Sequence, residues 1–357
     1  MSNISSLVHW KKAKTFPEKQ LQGKFCLIPF HMIEITTNGD VRLCGCAGWM
    51  PTTVGNLLDH TLEELLESDL AQSIRQSIID GTYKYCNLNT CAVYNNNGLD
   101  TIDAVPLHIA ELFKDSAQYQ IPEVISFQGD STCNLSCPSC RTSVYKTPAE
   151  QQQKQSELGE KLYNNFFSTP TTQPIHIITS GAGEVFASPL LLNFVSLIDL
   201  GKFPNTTLSI NTNGLMSEKN WHRIKHLDTA IKKVTVSVDA ARPLTYETVR
   251  RGGKWEDINN SLRFLQQQKQ YHQFQFHARL IVQEQNYKEI LEFHDFCKQF
   301  DIDKVEYSRL TNWGTWSPEE FLMHDVFNAN HKNYAEAKLL IDQVKQFDNV
   351  WFEGDFS

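Results

Sequence analysis

The sequence lacks several features that would place it in common classes of protein. Its 33 Lys and Arg residues against 41 Asp and Glu give a net charge of -8, which disfavours a broad phosphate-binding surface and predicts no nucleic-acid partner. The N-terminus "MSNISSLVHWKKAKTF" has no apolar core of signal-peptide length, and no stretch of about 18 apolar residues occurs. We therefore expect a cytoplasmic protein without a membrane partner.

Cysteine, by contrast, is plentiful, and its distribution is uneven. Because disulfides are rare in a reducing cytoplasm, clustered cysteines there favour metal sites. Cys297 lies within an apolar helical pattern and is predicted to be a buried core residue. The other eight cysteines lie in tight groups: Cys26, Cys44, Cys46, Cys86, Cys91, Cys133, Cys137 and Cys140.

The central part of the chain alternates short apolar strands with helical patterns, as a parallel α/β sheet does. Six strands are too few for a closed eight-stranded barrel. Helices are predicted between them, for example over 189–200, 255–268 and 287–300, from apolar residues at three- and four-residue spacing. The predicted strands are 124–130, 175–181, 207–214, 233–239, 276–282 and 304–310.

The first 100 residues have a different pattern, with a predicted hairpin around the turn "TNGD" and two short helices. We therefore predict a small α+β domain over 1–100, a linker or helix over 101–120, an α/β core over 121–320, and a C-terminal helix and tail over 321–357.

Three cysteines stand close together directly after the first strand of the core, in "STCNLSCPSC". Cys133, Cys137 and Cys140 would supply three thiolates from one loop, enough to hold three irons of a 4Fe–4S cluster and leave the fourth iron open. An open metal position is a site for chemistry. The alternative, a structural zinc knuckle, needs a fourth Cys or His nearby.

The C-x3-C-x2-C spacing after a first strand resembles the signature of the radical S-adenosylmethionine (SAM) superfamily. The resemblance implies a partial (β/α)6 TIM barrel whose open iron binds SAM, with the site at the carboxyl ends of the strands. Three further segments resemble SAM-binding segments of that family: "SGAGEVF", "SVDAARPLTYETVRRGG" and "LIVQEQN". They nominate Gly181, Gly183 and Glu184 for the SAM amino group, Ser237 and Asp239 for the ribose, Arg250 for the carboxylate, and Val282 for the adenine.

The N-terminal cysteines form a second set. Cys26-x12-Gly39-x4-Cys44 places two thiols at one end of a hairpin, and Cys86-x4-Cys91 adds another pair. Four thiolates close a site completely, as zinc or as a fully ligated 4Fe–4S cluster. The pattern resembles the SPASM or twitch auxiliary-cluster modules of radical SAM enzymes, which commonly follow the barrel rather than precede it. Cys46 is a possible alternate ligand.

The resemblance also implies a function. Such enzymes reductively cleave SAM to a 5′-deoxyadenosyl radical, which abstracts a hydrogen from the substrate. We expect modification of a ribosomally made peptide by crosslinking, epimerisation or oxidation, with an electron donor such as flavodoxin or ferredoxin. Only about 25 residues precede Cys26, which favours a separate leader-peptide-binding protein or a small substrate. The alternatives are a dehydrogenase or epimerase of a small metabolite such as an amino-sugar, and a non-catalytic iron–sulfur or zinc protein.

Residues that would touch the substrate are predicted only from strand alternation. If the two last core strands turn these residues inward, His277, Arg279, Tyr307 and Arg309 face the mouth of the barrel. The alternative is ordinary packing.

Overall fold

The computed structural model describes residues 13–18, 21–104, 122–179 and 181–356 of the chain. Its strands form one ten-stranded sheet and one two-stranded sheet, in which β1 and β5 pair antiparallel. The twelve strands are β1 Lys24–Phe25, β2 Met32–Ile35, β3 Asp40–Arg42, β4 Gly55–Asn56, β5 Asp100–Thr101, β6 Val124–Phe127, β7 Ile175–Thr179, β8 Thr206–Thr212, β9 Ile231–Ser237, β10 Gln275–Val282, β11 Lys304–Arg309 and β12 Val350–Glu353.

The large sheet has the order β12-β11-β10-β9-β8-β7-β6-β2-β3-β4. The eight strands from β12 to β2 all run parallel to their neighbours, while β3 and β4 are antiparallel. The six predicted core strands are present as β6 to β11, and the predicted α/β partial barrel is confirmed. Two further parallel strands widen it, since β2 joins β6 and β12 joins β11.

Helices cover one face of this sheet. The helix Trp255–His272 buries Ile258, Leu262 and Leu265, and it ends where Gln273 adopts a left-handed conformation with φ of 55°. The α-helices are Ile28–His31, Leu62–Leu66, Asp69–Ile79, Ala92–Asn95, Ala149–Phe167, Pro189–Ser196, Ser217–Asn220, Pro243–Val249, Trp255–His272, Ile290–Lys298, Pro318–His324 and Tyr334–Val344.

The two faces of the sheet differ in chemistry because side chains alternate along each strand. On β10 and β11 the residues Ala278, Leu280, Val305 and Tyr307 are fully buried on the helix-covered face. The opposite, inner face carries polar and charged residues at matched register. Its members include Glu34, Ser126, His176, Ser209, Thr235, Ser237, His277, Arg279, Glu306, Ser308 and Glu353.

The N-terminal domain is joined to the barrel through the sheet and through one continuous hydrophobic core that contains both Ile33 and Ile125. A small second core lies around Phe25 and Tyr83. The domain also contacts the opposite edge of the barrel, because the Asn96 side-chain amide donates to the carbonyl of Phe352 in β12. It therefore bridges the open side of the barrel.

Two predicted regions differ from the structure or fall outside it. The predicted C-terminal helix and tail, 321–357, contains the helix Tyr334–Val344 and also strand β12, which was not anticipated. Most of the predicted linker or helix of 101–120 lies outside the described residues. The part that is described continues the N-terminal domain through β5.

Candidate functional site

The loop that carries Cys133, Cys137 and Cys140 follows β6, so it lies at the carboxyl edge of the parallel strands. Cys133 is paired across the loop, where its N–H donates to the carbonyl of Tyr145 at 2.9 Å. Arg251 fastens the loop from outside, since its Nε donates to Ser136 Oγ at 3.1 Å. The sequence predicted the thiols but not this anchor.

Each of the three thiols accepts a hydrogen bond from nitrogen. Asn213 Nδ2 donates to Cys133 Sγ at 3.8 Å, Arg250 Nη1 to Cys137 Sγ at 3.7 Å, and Arg141 Nη2 to Cys140 Sγ at 3.5 Å. Donors of this kind stabilise thiolates. Burial nevertheless raises the pKa of Cys133 and of Cys137, and a bound metal would oppose that rise by favouring the thiolates.

Arg250 and Asp239 form a buried ion pair beside this loop, with Arg250 Nη2 2.7 Å from Asp239 Oδ2. Asp239 is held in the left-handed region, with φ of 63°, and its Oδ1 accepts from the N–H of Ile281 at 2.7 Å. Burial raises the pKa of Asp239, although Arg250 opposes this. Arg250 Nε is buried without a hydrogen-bond partner among the described residues.

The glycine segment after β7 packs against the cysteine loop. A Cβ at Gly183 would lie 2.4 Å from the carbonyl oxygen of Asp130 and 2.7 Å from that of Thr132. Only glycine fits there. Gly181 adopts φ of 109° against the side chain of Gln128.

Glu184, nominated for the SAM amino group, is fully engaged by protein groups. It accepts from Thr212 Oγ1 at 2.6 Å, from the N–H of Asn213 at 2.5 Å and from the N–H of Phe186 at 3.1 Å. Burial raises its pKa, and these hydrogen bonds oppose the rise. In this conformation Glu184 positions the end of β8, and Asn213 in turn reaches Cys133.

The remaining SAM nominations divide between the two faces of the sheet. Ser237 ends β9 on the inner face, at register with Arg279, and is partly exposed. Val282 ends β10 on the helix-covered face, and its side chain is fully buried in the core. The structure therefore corrects the nomination of Val282, whose side chain does not face the site.

The N-terminal thiols surround one cavity. Cys26, Cys44, Cys86 and Cys91 line it, and its other walls are apolar or aromatic apart from the Tyr83 hydroxyl. Burial raises the pKa of all four thiols, that of Cys26 to about 12. These thiols come together as the sequence predicted.

Within the described part of the chain, no group of three or more His, Cys, Asp or Glu is close enough to hold one metal ion. A zinc ion would need sulfurs about 3.8 Å apart, from tetrahedral bonds of about 2.3 Å. In a 4Fe–4S cluster each thiolate binds a different iron.

Cys46 lies outside the thiol cavity. Burial raises its pKa to about 11, and the carboxylates of Glu353 and Glu34, on the inner face of the barrel, act in the same direction. As predicted, Cys297 is buried in the hydrophobic core.

Comparison with known proteins assigns the N-terminal domain. Residues 26–92 match the family SPASM, described as an iron-sulfur cluster-binding domain, and the matched region contains all four cavity thiols. Among curated proteins, the FeMo cofactor biosynthesis protein NifB of Methanocaldococcus infernus is 27% identical over 124 residues, which cover 33% of this chain and 39% of that protein. Residues 26–92 therefore form a SPASM iron–sulfur cluster-binding domain.

The match implies an iron–sulfur cluster in the N-terminal domain, and the cavity lined by four thiols fits one. Solved structures similar to the chain include Streptococcus suis SuiB bound to SAM, 15% identical with a TM-score of 0.42, and anSMEcpe with bound AdoMet and Cp18Cys peptide, 16% identical with a TM-score of 0.41. The first match covers 70% of this chain and 53% of SuiB, the second 64% and 62%. The chain thus spans about two fifths of the curated relative and about half of SuiB.

The inner wall of the barrel carries a polar network that the sequence only partly predicted. His277 Nδ1 lies 2.7 Å from Glu306 Oε1, and Arg279 Nε and Nη2 donate to Glu306 Oε2 at 2.9 and 2.6 Å. His277 and Arg279 face inward as predicted. Glu306 was missed, although Val305 and Tyr307, the apolar residues on either side of it, gave the signal that they pack outward and that it faces in.

Tyr307 and Arg309 were assigned to the wrong face. The Tyr307 hydroxyl donates to the carbonyl of Ile290 in the helix layer at 3.0 Å, and the side chain is fully buried. Arg309 pairs with Asp325 at 2.9 Å and donates to the carbonyl of Asp355. Both residues hold helices and tail onto the barrel, because odd-numbered residues of β11 point outward.

Part of the inner wall belongs to the N-terminal strands. Arg42 Nη1 donates to Glu34 Oε2 at 2.9 Å, and Gln128 Nε2 donates to Glu34 Oε1 at 2.9 Å.

Within the described residues, no helix is long and apolar enough to cross a membrane.

Proposed function

We propose that this protein reductively cleaves SAM and uses the resulting 5′-deoxyadenosyl radical to abstract a hydrogen atom from a peptide substrate. The observation that carries the proposal is the loop of Cys133, Cys137 and Cys140, whose three thiols each accept a nitrogen donor at the carboxyl edge of the barrel. A 4Fe–4S cluster bound by three thiolates supplies an open iron for SAM and the electron that cleaves it.

Around that loop the protein's own groups would position SAM. The Arg250 guanidinium, whose Nη1 donates to Cys137, would bind the SAM carboxylate, and Ser237 offers a hydroxyl at the mouth of the barrel. Gly183 lets the glycine segment approach the cysteine loop closely. Asp239 holds Arg250 in place and has its own remaining contacts with backbone groups.

The second thiol set supports an oxidative or electron-relaying outcome. Cys26, Cys44, Cys86 and Cys91 would close a 4Fe–4S cluster completely, so that cluster would move electrons rather than bind substrate. Radical SAM enzymes with such modules most often modify peptides or protein side chains, which favours crosslinking, epimerisation or oxidation of a ribosomally made peptide. An electron donor such as flavodoxin or ferredoxin, and a protein that presents the peptide, would be its partners.

The first test is made on anaerobically purified, reconstituted protein. Iron and sulfide per chain are measured, and 5′-deoxyadenosine is quantified by chromatography after addition of SAM and dithionite. We expect about eight irons in the wild type and about four in the Cys133→Ala/Cys137→Ala/Cys140→Ala variant, with nucleoside formed by the wild type alone. Cys297→Ala is the matched control, because it removes a buried thiol outside both sites and should keep about eight irons.

The outcomes separate the candidates. Zinc in place of iron, or no SAM cleavage by the wild type, would refute the enzyme assignment and leave a metal-binding protein. If SAM is cleaved, candidate precursor peptides are incubated with the enzyme in deuterated water. Crosslinking or oxidation would lower the mass of the peptide, whereas epimerisation would incorporate deuterium. Activity on an amino-sugar or similar metabolite, with no change in any peptide, would favour the small-molecule alternative.

A further inference from the structure

The charged network on the inner wall ends in a carboxylate that lacks a cation of its own. That carboxylate is not Glu306, which lies against Arg279 and His277. Although burial opposes the charge of Glu306, these partners lower its pKa to about 2. Arg279 gives both its Nε and its Nη2 to Glu306. The charges of Glu306 and Arg279 are therefore matched to each other.

Glu353 stands one strand further along, on β12. Its Oε2 accepts from Ser308 Oγ at 2.9 Å, and the nearest cation among the described residues is Arg279 Nη2, at 4.0 Å. Lys233 acts on Glu306 from a lower level of the wall but forms no ion pair within the described part of the chain. Arg279, Glu306 and Glu353 together carry one net negative charge.

Glu353 is also placed where a substrate would lie. Glu353 in β12 is at register with Ser308 in β11, and Ser308 is at register with Ile281 in β10. The N–H of Ile281 donates to Asp239. Glu353 is therefore at the same height in the barrel as the Asp239–Arg250 pair beside the cysteine loop. Its side chain is 29% exposed, so it is open to a ligand yet partly shielded from water. An ion pair formed at such a shielded position is stronger than one on the surface.

We propose that Glu353 binds a cationic group of the substrate, an ammonium or guanidinium, and so positions the substrate in the barrel beside SAM. This inference rests on the proposed function, since it names the chemistry of the substrate for that same site. The hydrogen bond from Ser308 fixes one carboxylate oxygen of Glu353 and leaves Oε1 for the ligand. A basic side chain of a peptide and the amine of a small molecule share this chemistry.

The test measures binding rather than turnover. Reconstituted protein with SAM, without reductant, is titrated calorimetrically with three capped tripeptides, Ac-Ala-X-Ala-NH2, in which X is lysine, norleucine or glutamate, and with pentylamine. We expect the lysine peptide to bind at least about fivefold more tightly than the norleucine peptide, and the glutamate peptide to bind worst. Pentylamine that binds as well as the lysine peptide would identify a small amine rather than a peptide as the source of the cation.

Two variants decide the assignment. Glu353→Gln keeps an acceptor for Ser308 and should abolish the preference for lysine over norleucine, while Glu353→Asp should retain part of it. Glu160→Gln removes the same charge from an exposed helix position and should leave the preference unchanged. Equal binding of lysine and norleucine peptides by the wild type, or an undiminished preference in a folded Glu353→Gln variant, would overturn the proposal. SAM cleavage is assayed separately, so a failure of the proposed function would be seen independently of these affinities.

Discussion

Replacing Gly183 by alanine tests whether the close contact between the glycine segment and the cysteine loop is needed. Ordinary carbon contacts begin near 3.4 Å, so the new Cβ, at 2.4 and 2.7 Å from two carbonyl oxygens, falls short by about 1 Å and about 0.7 Å. Because the obstacle is backbone, it cannot rotate away. Overpacking of this kind costs about 1–3 kcal/mol, of which up to about 1 kcal/mol is offset by the lower entropy of the unfolded alanine chain.

The alternative to that cost is a shift of the cysteine loop by about 1 Å. A displacement of that size can lower a rate about a hundredfold, so Gly183→Ala should lose SAM cleavage, stability or both. Free energies of unfolding come from urea titration, and cleavage from 5′-deoxyadenosine formation.

Gly159→Ala is the matched control for this variant. Gly159 lies in the helix Ala149–Phe167, where a Cβ would meet only Leu190 Cδ1, at 3.6 Å. This substitution should therefore stabilise the protein by about 1 kcal/mol. A Gly183→Ala variant with wild-type stability and wild-type cleavage would refute the reasoning.

Three further predictions concern buried polar contacts. Asp239→Asn keeps a residue type that tolerates positive φ but leaves Arg250 without its counter-ion. Urea titration should therefore show a free energy of unfolding lower by about 3 kcal/mol, and calorimetry should show weaker SAM binding. An unchanged unfolding curve would contradict this. Glu306→Gln should cost about 3 kcal/mol. The pKa of Glu306 is lowered in the folded state to about 2, so this deficit should be constant above about pH 5 and shrink as pH falls toward 2; a deficit that grows in acid would have the wrong sign. Asn96→Ala should cost about 1 kcal/mol and speed hydrogen exchange in β12 more than in β8, and equal exchange in both strands would argue against the bridge.

Much of the fold could be predicted from the sequence, because strand and helix periodicities are local. The six core strands were located to within three residues at each end, since apolar runs and turn residues mark them. Strands β2 and β12 were missed as members of the barrel sheet because pairing between distant segments leaves no local mark. Of the two, β12 is short and carries a tryptophan, a phenylalanine and a glutamate, which fit a capping tail equally well.

The site was predictable to the extent that its chemistry is carried by residue type and spacing. The cysteines of both sets were found in this way. The residues of the inner wall could not all be found, because a single residue does not show which alternate positions of a strand face inward. The inward prediction was right for Arg279 and wrong for Tyr307. Glu184 shows a third limit, since its partners Thr212 and Asn213 come from another strand, and only the folded chain brings them together.

The bond from Asn96 to Phe352 joins residues 256 positions apart in the chain. During folding, the edges formed by β2 and β11 stay open until β6 and β12 arrive, and open parallel edges are slow to pair and prone to aggregation. The SPASM domain, although it comes first, cannot complete its contacts before the last strand is in place.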